Sequence, residues 1–346
     1  MPLPSSGPIS LLNIASEFSA PAPISMNSFY RAGGRVPNIP ANINIPTSGA
    51  ISMGSFYGAA SRVVIDISIA SNVNNYDLKT AALALGYTAG VTTIQLTVNA
   101  GVLVGSGGAG SPALTVSGFV TGDQITIFNY GTIRGAGGSG GAGQNNDNYL
   151  KGPADSQPAA PASPAGNGVG GGTALFTNFP ITVANGGVIA GGGGGGGGGG
   201  YFTAYYYYYA LWAANGGYGG GGGAGSVPGP GGGGGVGYSN WYGGSGLDVW
   251  PSGGGGRAGA AGTDTAGAPI NGATVYGGYL DAVNTDGGGW AGGAGGGLGS
   301  AGGNGYNGNV TWNVGVFGLG GAAGSATQGN GNITWSATGT RIGPLN

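Results

Sequence analysis

The sequence predicts a chain that is mostly irregular and β. A small strand-rich N-terminal region with short helices precedes a bundle of extended glycine helices bearing aromatic loops. Three observations predict this. Glycine fills 90 of the 346 positions, against about 7% in ordinary proteins. Within the glycine tracts the interruptions keep a period of three. All six tryptophans and twelve of the eighteen tyrosines lie beyond residue 200, most of them in segments between those tracts.

Composition removes several function classes. The chain has no histidine and no cysteine, so imidazole acid–base chemistry, thiol nucleophiles, His/Cys zinc sites and disulfides are excluded. Charged residues are 5% of the chain, with eight Lys and Arg and a net charge of −2. Such a chain cannot track a phosphate backbone. Disordered linkers are charged and poor in aromatics, and this chain is the reverse. The first residues lack a basic leader with a long apolar run, and no apolar stretch of about 18 residues is present. The reading is a soluble protein made in a cytoplasm, with no membrane insertion, no cofactor, no metal site and no catalytic constellation; it is not an enzyme.

Residues 1–60 repeat a short motif: Ile9-Ser10-Leu11, Ile24-Ser25-Met26-Asn27-Ser28-Phe29-Tyr30 and Ile51-Ser52-Met53-Gly54-Ser55-Phe56-Tyr57. Serine before an apolar turn reads as a capped single turn with one apolar face. Such pieces either pack on each other as a cap or dock onto a larger assembly. The docking candidates are Ile9, Leu11, Phe18, Ile24, Met26, Phe29, Tyr30, Ile51, Met53, Phe56 and Tyr57.

Residues 61–134 read as a small strand-rich domain with one helix. Val63–Ile69 and Thr92–Val98 alternate as strands. Between them a helix starts at Asp77 or Asn75 and stops at Gly86. A second repeat then appears three times. Asn99-Ala100-Gly101-Val102-Leu103, Asn129-Tyr130-Gly131-Thr132-Ile133 and Asn185-Gly186-Gly187-Val188-Ile189 each follow a strand-like run and each lead into glycine. Asn-x-Gly supplies a turn, so strand, turn, strand and glycine run form a unit used three times.

Residues 135–346 carry the glycine tracts. Three residues per turn is the period of an extended helix rising about 3.1 Å per residue without internal hydrogen bonds. Buried backbone groups must still be paired, so such helices need neighbours on several sides. The ten glycines at 191–200 offer no outer face and are expected inside the stack.

The aromatic segments hold the candidate contact residues Tyr201, Phe202, Tyr205, Tyr206, Tyr207, Tyr208, Tyr209, Trp212, Tyr238, Trp241, Tyr242, Trp250, Tyr276, Tyr279, Tyr306 and Trp312. They can cap the bundle or form a binding surface, since Tyr and Trp give large, stiff contact area at low entropic cost. The stretch Gly243-Gly244-Ser245-Gly246-Leu247-Asp248-Val249-Trp250 matches a calcium-binding repeat, but that repeat works only in tandem. One copy among 90 glycines carries no site.

The Ile-Ser-Leu/Met repeats, the Asn-x-Gly entries into glycine, and the ending Asn332-Ile333-Thr334-Trp335-Ser336-Ala337-Thr338-Gly339-Thr340-Arg341 resemble glycine-rich tail proteins of tailed bacteriophages. The alternation of glycine tracts with aromatic loops is similar to their distal tail-fibre adhesins. That resemblance implies a polyglycine II sandwich whose far loops bind a host outer-membrane protein or surface glycan. It also implies an N-terminal region attached to other tail or fibre proteins, and a place on the virion. Two alternatives stand beside it: a purely structural tail protein whose aromatics contact other virion proteins, and, more remotely, an ice-binding glycine-helix protein.

Overall fold

Alternating apolar residues in Val63–Ile69 and Thr92–Val98 put every second side chain inward, and the two strands lie side by side in parallel, Ile65 against Ile94 and Ile67 against Leu96. This pairing starts a solenoid. The computed structural model describes residues 2–144, 164–200, 202–206, 211–215, 219–232, 238–243, 246–248, 262–263, 292–305 and 317–346.

The first coil holds β1 (Val63–Ile69), β2 (Val73–Asn74) and β3 (Tyr76–Asp77). The second holds β4 (Thr92–Val98), β5 (Leu103–Gly105) and β6 (Leu114–Val116). The third holds β7 (Gln124–Asn129), β8 (Thr132–Arg134) and β9 (Leu175–Thr177). The fourth holds β10 (Ile181–Asn185) and β11 (Val188–Ala190), then a long insert with β12 (Phe202–Tyr206), β13 (Leu211–Asn215), β14 (Tyr238–Gly243) and β15 (Gly246–Asp248), and returns at β16 (Thr327–Gln328). The fifth holds β17 (Ile333–Ala337) and β18 (Thr340–Ile342), after which Leu345 bridges Thr327.

Strands at the same place in successive coils pair in parallel. The first face runs β1-β4-β7-β10-β17, the second β2-β5-β8-β11-β18 and the third β3-β6-β9-β16. Their inward side chains merge in one core, where Ile94, Leu96, Val104, Leu114, Ile127, Ile133, Leu175 and Ile189 are fully buried. The coils vary in length because the excursions between faces vary. One helix, α2 (Leu78–Ala84), caps on Asp77, whose carboxylate accepts from Thr80 N.

The fold class expected from the sequence is therefore corrected. Three parallel sheets organise the chain, not a mostly irregular polyglycine II helix bundle or sandwich, and the aromatic segment expected as loops contains the four-stranded antiparallel sheet β12-β13-β14-β15. The physical reason is that the three Asn-x-Gly units are stacked turns of one solenoid. Their first strands bond to each other, as do their second strands. The glycine segments are excursions leaving after β8 and β11 and returning at β9 and β16.

Those excursions are backbone-paired. Gly135, Gly138, Gly141 and Gln144 donate to the carbonyls of Ala190, Gly193, Gly196 and Gly199, a register advancing three residues at a time. In the ten-glycine run, Gly192, Gly195 and Gly198 donate to Gly172, Val169 and Gly166, whereas Gly193 and Gly196 donate to Ala224 and Gly221. Gly194 and Gly197 donate to Ser300 and Gly303, a third direction. All ten glycines are buried. A Cβ on Gly195 would sit 1.9 Å from the Ser139 carbonyl oxygen, so the packing distance excludes any side chain there.

Residues 2–60 form a separate small core. The α-helix α1 (Leu11–Glu17) starts at Ser10, whose Oγ accepts from Asn13 N while Asn13 Oδ1 accepts from Ser10 N. The other two motif copies make 3-10 turns at Met26–Phe29 and Met53–Phe56, with Ser25 and Ser52 at the cap position but without a side-chain cap bond. Phe18, Phe29 and Phe56 meet with ring centroids 6.1–6.4 Å apart.

Candidate functional site

The motif copies of residues 2–60 are equivalent in place as well as in sequence. Ile14, Phe29 and Phe56, each five residues after the motif isoleucine, are fully buried. Ile9 with Leu11, Ile24 with Met26, and Ile51 with Met53 are all half-buried against that same core. Hydrogen bonds run from copy to copy: Tyr30 Oη donates to the Gly49 carbonyl (2.5 Å) and Tyr57 Oη to the Gly7 carbonyl (2.6 Å). Of the sequence-expected docking residues, Phe18, Phe29 and Phe56 thus build the module itself. The three aliphatic pairs and the edges of Tyr30 and Tyr57 reach solvent.

The aromatic candidates divide differently. The ten-glycine run leaves the solenoid at β11 and ends one residue before β12. At the rise of an extended glycine helix it spans about 31 Å. Phe202, Tyr205 and Tyr206 lie on β12, Trp212 on β13, and Tyr238, Trp241 and Tyr242 on β14. The register sets Tyr205 opposite Trp212, Trp212 opposite Asn240, and Leu211 opposite both Tyr206 and Trp241. Tyr201, Tyr207, Tyr208, Tyr209, Trp250, Tyr276, Tyr279, Tyr306 and Trp312 lie outside the described residues.

The solenoid corners carry polar ladders. Asn129 Nδ2 donates to Asn185 Oδ1 (2.8 Å), and Asn185 Nδ2 donates to the carbonyls of Thr338 and Thr340 (2.9 and 3.2 Å). The repeated asparagine of the sequence motif therefore stitches one coil to the next. At another corner the Asp123 carboxylate accepts from Tyr87 Oη (2.5 Å), Gly90 N (2.9 Å) and Val120 N (3.0 Å). Lys79 Nζ lies 3.2 Å from the Tyr87 ring centroid and 4.7 Å from that of Phe119. Burial lowers the Lys79 pKa, with the Asp123 charge opposing; burial and the bond to Asp123 raise the Tyr87 pKa well above the usual phenol value. This cluster was not read from the sequence, because its members are spread over residues 79–123 and meet only when coils stack. The carboxylate, which also accepts from Thr92 N (3.4 Å), and its donors are all engaged in holding loops, which suits a brace rather than a reaction centre.

Among the described residues, no group of three His, Cys, Asp or Glu could hold a metal ion. No helix among them is long and apolar enough to cross a membrane.

The described residues thus form a solenoid spine, a small N-terminal module built of three like turns, and a backbone-paired glycine insert that carries aromatic strands. Residues 64–230 match the model of the family described as phage tail fibre adhesin Gp38. The resemblance to phage tail-fibre adhesins read in the sequence is thereby borne out, and the matched stretch begins in β1 and runs past β11 into the insert, through β13. A solved structure, the gp37-gp38 adhesin tip complex of the bacteriophage S16 long tail fiber, is similar over 99% of this chain and 100% of that chain, with 19% identity and a TM-score of 0.42. No curated protein matches the chain.

Proposed function

We propose that this protein is the receptor-binding adhesin of a phage tail, displayed on the virion and made in the host cytoplasm. In this reading residues 135–346 recognise a host outer-membrane protein or surface glycan through the aromatic segments. Residues 1–60 attach the chain to another tail or fibre protein, and residues 61–134 join the two. The family match over residues 64–230 is the observation that carries the reading.

The chemistry agrees with it. An adhesin needs contact area rather than reactive groups. Tyrosine and tryptophan supply that area with few rotatable bonds, and a backbone-paired glycine support fixes their position without a side-chain core. The N-terminal module offers three like aliphatic pairs, Ile9/Leu11, Ile24/Met26 and Ile51/Met53. A partner presenting three matching apolar hollows would engage all of them at once.

The test replaces Tyr205, Trp212 and Trp241 by alanine together. Losing two or three aromatic anchors removes at least about 2 kcal/mol each where they act as hot spots. Purified variant protein should then bind host cells at least about a hundredfold more weakly, with its circular dichroism and melting temperature retained. Undiminished cell binding by a folded variant would refute the assignment of the surface. Binding to a tail protein through this insert, with no cell binding by the wild type, would favour the structural alternative.

A further inference from the structure

The first face of the solenoid has an outer side that the adhesin reading leaves unused. Its outward positions align in ranks across the strands. Asp66, Gln95 and Thr126 form one rank, and Ser68, Thr97 and Phe128 the next. Adjacent strands lie about 4.8 Å apart and alternate residues about 6.7 Å apart along each strand, so this patch measures about 10 by 7 Å. A depression of about 340 Å³ opens on it, lined by Asp66, Ile67, Ser68, Gln95 and Thr97. Phe128, half-buried, stands beside Thr97 at its border.

The polar groups here are mostly free. Among the described residues, the side chains of Asp66, Gln95, Thr97 and Thr126 make no hydrogen bond or ion pair, whereas the Ser68 hydroxyl is spent on Asn99 Oδ1 (3.2 Å). A carboxylate, an amide and one free hydroxyl, that of Thr97, therefore line a shallow hollow, with Thr126 next to Gln95 and Phe128 next to Thr97 on the adjoining strand. Arg62, which directly precedes β1, is committed to Thr93 Oγ1 and to the carbonyls of Thr92 and Gly122.

From this geometry we infer a second ligand site, on the flank of the solenoid, for a neutral saccharide. A sugar ring is polar around its edge and apolar on its C–H face. The Asp66 carboxylate and the Gln95 amide can each take two neighbouring hydroxyls, since both present paired acceptors or a donor with an acceptor. The Phe128 ring offers a flat apolar surface to the C–H face. A phosphorylated or acidic ligand is disfavoured, because among the described residues that line it the hollow has one carboxylate and no cation. An extended peptide would add to the open edge of β1, where backbone groups are unpaired, whereas this hollow opens on the face of the sheet across β1 and β4.

The site lies on β1, β4 and β7, apart from the aromatic insert, so it can be tested independently. Saturation-transfer NMR of the full chain with methyl glycosides of glucose, galactose, mannose, rhamnose and N-acetylglucosamine supplies the probes. Glucose 6-phosphate and N-acetylneuraminic acid serve as charged controls. The expected result is transfer to at least one neutral glycoside and none to the charged ones. The double variant Asp66→Ala/Gln95→Ala should weaken that binding at least about tenfold, as loss of a charge-assisted hydrogen bond implies. The Tyr205/Trp212/Trp241 alanine variant should leave it unchanged. Absence of transfer from every neutral glycoside overturns the inference. So does transfer that survives in the double variant. Transfer that disappears only in the aromatic variant also overturns it, while leaving the adhesin reading intact.

Discussion

Asp123 shows how a single side chain settles loop geometry in a chain with few charges. Its carboxylate, 8% exposed, accepts from two backbone groups of one loop, one of its own loop and the Tyr87 phenol. Replacing Tyr87 by phenylalanine removes a hydrogen bond to an ionised partner, and should lower unfolding stability near pH 8 by about 1.5–3 kcal/mol. The sign with pH follows from the raised phenol pKa. A group whose pKa is raised on folding contributes fully below its unfolded value of 10.0 and loses that contribution as pH rises above it. The gap between wild type and Tyr87→Phe should therefore narrow above pH 10, as urea melts at pH 8 and pH 11 would show. None of this was legible beforehand. The sequence marks Asp123 only as one acid in a Gly-Asp turn. The Asn-x-Gly motif, by contrast, was legible as a turn, although the ladder from Asn129 to Asn185 was not, because stacking alone makes the asparagines neighbours.

At the scale of elements, the glycine runs hold their register through backbone bonds spaced three residues apart, the spacing at which alanine and serine interrupt the runs. That match explains why the interruptions keep phase: only one residue in three can face away from a neighbour. Gly195→Ala should abolish soluble expression or cost several kcal/mol of stability, since its Cβ has no room against the Ser139 carbonyl. Gly297→Ala is the control. Nothing lies within 4 Å of a Cβ there, and its backbone is open to L residues, so the melt should be unchanged or stabilised by about 0.4–1 kcal/mol. Thermal melts of both variants check the pair. The strands Val63–Ile69 and Thr92–Val98 and the helix after Asp77 were readable from periodicity and capping. The third face was not. Its strands Tyr76–Asp77, Leu114–Val116, Leu175–Thr177 and Thr327–Gln328 are two or three residues long, too short to show a period. Without a third face, repeated strand-turn-strand units look like separate entries to glycine rather than coils.

For the whole molecule, 5% charged residues and a net charge of −2 leave little for ionic strength to act upon. Binding of the purified protein to host cells should therefore change by less than about twofold between 50 and 300 mM salt, because contacts of neutral aromatic and amide groups are not screened. A steep salt dependence would point to charged contacts that this composition scarcely provides. The tail-fibre adhesin resemblance was legible in the repeats and glycine tracts. The solenoid frame was not, because coil four closes only after more than a hundred inserted residues, and Ile181 finds its partner at Ile333.

Both long excursions depart from and return to the same corner of the solenoid, after the second face and before the third. The spine on either side is joined without them, β7 to β10 and β10 to β17. Under the function proposed above, variation in recognition can thus accumulate in the excursions, by lengthening, trimming or wholesale exchange, while the coils that carry them keep their register.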